Sequence, residues 1–235
     1  MAKIKLFCIP YAGGSALIYN KWKMYLNSSI ELVPLELAGR GKRSFCPQYK
    51  SIEDAVNDVY MLFHDEIKSD MPYAIFGHSM GSLIAFELSY RIAESGLTLP
   101  VHLFFSGRKP PDNTSETEYH KLPNNLFLNE IKQYGGMSEE VLAQSELLDF
   151  FIPIIRNDFK IVETYSYLQR KNRLDCDISV FFGKEDSMTK QDMAEFAKYC
   201  MKDCKLYEFS GGHFFILDDM ESVTDTINKV LIDYV

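Results

Sequence analysis

Ser79 stands in Ile75-Phe76-Gly77-His78-Ser79-Met80-Gly81-Ser82-Leu83, between an apolar run over 73–76 and a second one from about 80 to 93. Gly-x-Ser-x-Gly between a strand and a helix makes a strained corner that lifts the serine hydroxyl clear of a sheet. The flanking glycines are needed because a Cβ at either place would meet neighbouring backbone. A serine hydroxyl is a weak nucleophile near neutral pH and needs a base to take its proton. Among the five histidines, His213 has the fitting place: it follows Gly211-Gly212 after an apolar run over 205–209 and precedes Phe214-Phe215. His64, His102 and His120 fall in a helix, a strand start and a polar loop, which are ordinary settings. His78 lies inside the corner, with its side chain expected away from the place a base must occupy. The base needs a carboxylate to fix its tautomer. Phe181-Phe182-Gly183-Lys184-Glu185-Asp186 supplies Asp186 after the preceding strand, with Glu185 and Asp112 as competitors. The chemistry these three permit is acyl transfer to Ser79 followed by hydrolysis.

Elements that could bring Ser79, Asp186 and His213 together follow from the hydrophobic pattern. Residues 3–9, 30–35, 73–76, 101–105, 178–182 and 205–209 read as strands, by alternation or by short apolar runs. Ser51-Ile52-Glu53-Asp54 is a capping box opening a helix to about residue 68. Further helices are expected over 80–93, 190–199 and 220–232. Strands alternating with helices in this way predict an α/β fold, a mostly parallel sheet with helices on both faces. The rhythm breaks after Gly107. Residues 108–173 contain no convincing strand but carry helical patterns over 125–134, 138–144 and 146–168, the last containing Pro153. A connection that long reads as an inserted helical lid between core segments 1–107 and 174–235. Tyr11-Ala12-Gly13-Gly14-Ser15 turns sharply after the first strand but lacks the lysine of a phosphate-binding loop and the spaced G-x-G-x-x-G.

With 235 residues the chain can bury a large core. A net charge of −8 argues against nucleic acid as a partner, since phosphate binding needs a basic face. No stretch is long and apolar enough to span a membrane or serve as a secretory leader, so a cytoplasmic protein is expected. The five cysteines are odd in number and lack zinc-site spacing, so free thiols and no metal are expected.

Together, Pro10-Tyr11-Ala12-Gly13-Gly14-Ser15, Leu37-Ala38-Gly39-Arg40-Gly41 with Arg43, Phe76-Gly77-His78-Ser79-Met80-Gly81 followed by Ala85-Phe86-Glu87-Leu88, Gly183-x-x-Asp186 and Gly211-Gly212-His213-Phe214 resemble the stand-alone (type II) thioesterases of nonribosomal peptide and polyketide synthetases. The resemblance spans nearly the whole chain. It implies an α/β-hydrolase with a helical lid, whose chain order Ser79…Asp186…His213 is that of the superfamily. The oxyanion hole would then come from the backbone N–H of Met80 and one from the first loop, most directly Ala12. The implied activity is hydrolysis of acyl groups from the phosphopantetheine arm of a carrier protein or carrier domain, by a monomer acting in trans and without a cofactor. Phe127, Phe150, Phe151 and Ile154 of the lid would offer an apolar wall to the acyl chain. Arg40-Lys42-Arg43 and Arg170-Lys171-Arg173 could face an acidic carrier, although a solvated face is the default for charge clusters. Two departures, Ala38 for a usual proline and Cys46-Pro47 for Glu-Pro, leave the role of the loop over 39–43 open. The rival chemistry is an esterase or lipase acting on small oxygen esters. The rival class is a catalytically inactive hydrolase fold used as a scaffold.

Overall fold

Side chains alternate across a strand, so one apolar run can feed two cores. In the computed structural model, which describes residues 4–64, 66–67, 71–113, 117–135 and 144–235, this happens in every central strand. Phe7, Ile9, Tyr73, Ile75, Leu103, Phe105, Ile178, Val180 and Phe182 enter one core. Their neighbours Leu6, Cys8, Ala74, Phe76, Phe104 and Phe181 enter the other. The strands are β1 (Ile4–Ile9), β2 (Ile30–Pro34), β3 (Tyr73–His78), β4 (His102–Ser106), β5 (Asp177–Gly183) and β6 (Cys204–Phe209). They form one six-stranded sheet of order β2-β1-β3-β4-β5-β6, and each neighbouring pair is parallel.

Helices cover both faces, as two-sided burial requires. The helices α1 (Ile52–His64) and α2 (Met80–Glu94) close the first core through Ala55, Val59, Phe63, Leu83, Ile84 and Leu88. On the other face lie a 3-10 segment over Ala16–Met24, not expected from the sequence, and the C-terminal helix over Met220–Leu231. Trp22 and Tyr19 of the former and Val223, Ile227 and Leu231 of the latter fill the second core. The expected capping box at Ser51 is half built. Ser51 Oγ accepts from Asp54 N (3.1 Å), but Asp54 Oδ2 takes Lys50 N (3.0 Å), one residue earlier than the motif requires.

Between β4 and β5 the described elements are all helical: a 3-10 turn at Tyr119–Lys121, α3 (Asn124–Tyr134) and α4 (Ser145–Glu163). They share a third apolar cluster of Phe127, Ile131, Ile152 and Ile155. The expected segment 138–144 lies almost wholly outside the described residues. Pro153 sits inside α4, which stops at Glu163 rather than near 168. Beyond β5 come α5 (Lys190–Ala194), α6 (Phe215–Asp218) and α7, the C-terminal helix over Met220–Leu231. No helix among the described residues is long and apolar enough to cross a membrane.

Candidate active site

Ser79 is the one described non-glycine residue with positive φ (54°, ψ −114°). Such a conformation persists only where its surroundings over-determine it. Here they do. A Cβ on Gly77 would sit 2.1 Å from Gly81 O, and one on Gly81 would sit 2.1 Å from Ile9 O. The strand, the corner and the start of α2 are therefore pressed together, and Ser79 N donates to Ser106 O of the next strand (2.8 Å).

Asp186 and His213 leave the ends of β5 and β6, which are stitched by backbone bonds. Lys184 N donates to Phe209 O (2.9 Å) and Glu185 N to Gly211 O (3.0 Å). Gly183 must lack a side chain because a Cβ would lie 2.3 Å from Gly212 O. This contact brings the two loops into register. His213 Nδ1 lies 2.8 Å from Asp186 Oδ2, and Asp186 Oδ1 accepts from Ser187 N (2.7 Å). Burial by itself would raise the Asp186 carboxyl. The hydrogen bond and charge of His213, with bonds from Ser187, outweigh it and hold the group below its ordinary value. The carboxylate thus fixes the Nδ1–H tautomer and leaves Nε2 as the basic nitrogen. Of the competing acids, Glu185 is exposed and Asp112 is paired with Lys198 (2.5 Å).

Ser79, Asp186 and His213 face one cleft of about 710 Å³, lined also by Ala12, Gly13, Met80, Arg108, Tyr134, Phe151 and Ile155. No hydrogen bond joins Ser79 to His213 among the described contacts, a separation that commonly tightens only when substrate binds. His78 does not line the cleft; it is fully buried behind it. Its ring lies 5.1 Å from that of His213, and its Nδ1 pairs with Ser106 Oγ at 2.8 Å. Burial, then proximity to His213, holds His78 well below its ordinary pKa, so His213 has a neutral neighbour. The Tyr134 ring stands 5.6 Å from that of His213.

The expected apolar wall needs correction. Phe151 lines the cleft, whereas Phe127, Phe150 and Ile154 do not. Phe127 is fully buried in the third cluster, under the guanidinium of Arg156 at 4.1 Å. Phe150 is 57% exposed. Helical rotation of about 100° per residue turns positions 150 and 154 away from the face that 151, 155 and 162 present to the cleft. The arginines at three of the six basic positions are held internally: Arg40 pairs with Asp158, Arg43 with Asp58, and Arg170 with Glu87, while Lys42, Lys171 and Arg173 are exposed. Asp158 was missed altogether. Its signal was a lone carboxylate in the stripe 151, 155, 158, 162, otherwise apolar. Among the described residues no group of three or more His, Cys, Asp or Glu could hold a metal ion.

Residues 4–231 match the thioesterase domain family, and the chain belongs to it: an α/β-hydrolase fold carrying a thioester hydrolase of the serine type. Among its relatives is the gramicidin S biosynthesis protein GrsT of Aneurinibacillus migulanus, 32% identical over 98% of this chain and 90% of that one. The medium-chain S-acyl fatty acid synthase thioesterase of Homo sapiens is 33% identical over 92% of this chain and 82% of that one. Among solved structures, ClbQ from the colibactin NRPS/PKS pathway superposes with a TM-score of 0.93 at 37% identity, covering 98% of this chain and 97% of that one.

Proposed function

We propose that the chain hydrolyses acyl groups from the phosphopantetheine arm of carrier domains, clearing misprimed or stalled nonribosomal peptide or polyketide synthetases. In this reading Ser79 Oγ attacks the thioester carbonyl carbon while His213 Nε2 takes its proton, and Asp186 holds the resulting imidazolium. The N–H groups of Met80 and Ala12 receive the oxyanion. Collapse breaks the C–S bond, and the pantetheine sulfur, a good leaving group, departs and takes the proton from His213 Nε2 as a thiol, which leaves the imidazole neutral again. Water, deprotonated by His213, then opens the acyl-enzyme to a free acid and returns Ser79 to its hydroxyl form. Residues 108–173 act as the lid, with Phe151 and Ile155 against the acyl chain. The enzyme works as a cytoplasmic monomer on a partner it meets in trans.

The observation that carries the reading is the 2.8 Å His213–Asp186 contact at the rim of the cleft that Ser79 faces. The relatives named above, each named for a synthase or a biosynthetic pathway, support the choice of a carrier-bound acyl group. The test compares kcat/KM for acyl-phosphopantetheinyl carrier, acyl-CoA and p-nitrophenyl esters, with fluorophosphonate labelling of Ser79. Preference for the carrier thioester, with labelling lost in Ser79→Ala, is expected. A preference for oxygen esters overturns the substrate class, and a folded protein that takes no label overturns the hydrolytic mechanism.

A further inference from the structure

Asp158 of α4 is 0% exposed, and its partner Arg40 is 4% exposed. A buried carboxylate is tolerated only when its lone pairs are occupied by well-placed donors. Its Oδ2 accepts from Arg40 Nη1 (2.6 Å), and its Oδ1 from Arg40 Nη2 (2.8 Å), a two-pronged pair. The third donor is unusual: Gly13 N, in the first loop, gives its hydrogen to Asp158 Oδ2 at 2.7 Å. The same Arg40 Nη1 also donates to the loop, 3.3 Å from Gly14 O. One turn earlier on α4, Ile155 presses on Gly13, where a Cβ would lie 2.5 Å from Ile155 Cγ1 and φ is +77°. Gly14 N is already bonded to Tyr11 O (2.9 Å). In the turn over 12–14, two amides are therefore consumed, and the one with no acceptor among the described residues is that of Ala12.

We infer that Asp158, anchored by Arg40, is the positioning residue of the oxyanion loop, so that the helix over the cleft sets where the Ala12 N–H points. The inference rests on the serine-hydrolase reading and goes beyond it, because neither Arg40 nor Asp158 touches the reacting atoms. It also gives the Gly39-Arg40-Gly41 loop a task. Removing Gly13's acceptor lets the turn relax, and the Ala12 amide drifts from the place where charge develops. A group that acts only on the oxyanion changes kcat and leaves KM near its native value.

The decisive variant is the double substitution Arg40→Met with Asp158→Leu, which removes the buried charges as a pair and so leaves stability near that of the native protein. Its expected kcat, on an acyl-N-acetylcysteamine thioester, is lower by roughly 10²-fold, comparable to loss of one oxyanion donor. Affinity for an alkyl trifluoromethyl ketone, whose Ser79 adduct carries an oxyanion, is expected to fall by a similar factor. A double variant that folds with native kcat and native ketone affinity overturns the inference, while native enzyme inert to fluorophosphonate instead overturns the reading beneath it. Should the double variant not fold, Arg40→Lys carries the test, since it keeps the charge and loses the fork. It is expected to lower kcat and ketone affinity together, and a fall in KM-based binding alone overturns the assignment.

Discussion

Individual side chains in the cleft have tasks set by single contacts. Asp186 works through one hydrogen bond, so Asp186→Asn preserves shape but presents the wrong partner to His213 Nδ1. Its expected effect is a fall in kcat of about 10³- to 10⁴-fold with KM little changed, measured in steady state on a soluble acyl thioester. A drop below tenfold would return the acid's role to another residue. Gly107 (φ +60°) is constrained by His78, because a Cβ there would lie 2.4 Å from His78 Cε1. Gly107→Ala should destabilise by about 1–3 kcal/mol in urea unfolding, through the strained φ and the displaced ring. Arg108 is a different case. Burial draws its guanidinium down to about 10, and Nε has no hydrogen-bond partner. Arg108 is half-buried at the cleft, so replacing it with Met removes a partly desolvated cation and its unpartnered Nε. The urea midpoint is expected to rise, and a lower midpoint would mean that the side chain contributes more by packing than its desolvation costs.

At the scale of elements, the helices between β4 and β5 share an apolar cluster of their own. Phe127 is the centre of its apolar cluster, edge-on to Phe159 and capped by Arg156. Phe127→Ala should remove about 3–5 kcal/mol of local stability. Hydrogen exchange is the measurement: faster exchange is expected across α3 and α4, with β1, β3 and β4 protected as before. Uniform acceleration through the sheet would mean that these helices and the sheet unfold as one unit. Strand and helix types over the sheet were legible because period-2 and 3.6-residue patterns report local burial. The 3-10 segment Ala16–Met24 was not legible, since a single i, i+3 pair, Tyr19 and Trp22, is too short a pattern to set a period and is held by tertiary contacts, including Tyr19 Oη donating to Ile9 O (2.9 Å). The apolar wall failed for the same reason in reverse: hydrophobicity marked 127, 150, 151 and 154 alike, and only packing decided which one faces the cleft.

The molecule as a whole should lose stability in mild acid, through buried imidazoles. His102 is 5% exposed, bonded by Nε2 to Ser179 Oγ (2.8 Å), and burial pulls its pKa from 6.5 to about 4. His78 is shifted in the same direction. A folded pKa below the unfolded one means that the unfolded chain binds more protons between those values, so stability rises with pH across that window. Lowering pH from 7 to 5 should therefore cost on the order of 2 kcal/mol for His102 alone. The slope of urea-unfolding free energy against pH should flatten in His102→Gln, and an unchanged slope would assign the acid sensitivity elsewhere. Unaided, the chain of residues determined the parallel sheet, the strained serine corner and the order Ser79, Asp186, His213, because glycine spacing and apolar periodicity are local consequences of backbone sterics and burial. Tertiary structure alone decided that Arg40 and Asp158, 118 positions apart, close on the Gly13 amide, since a buried ion pair is written in sequence only as two charges with nothing to say that they meet.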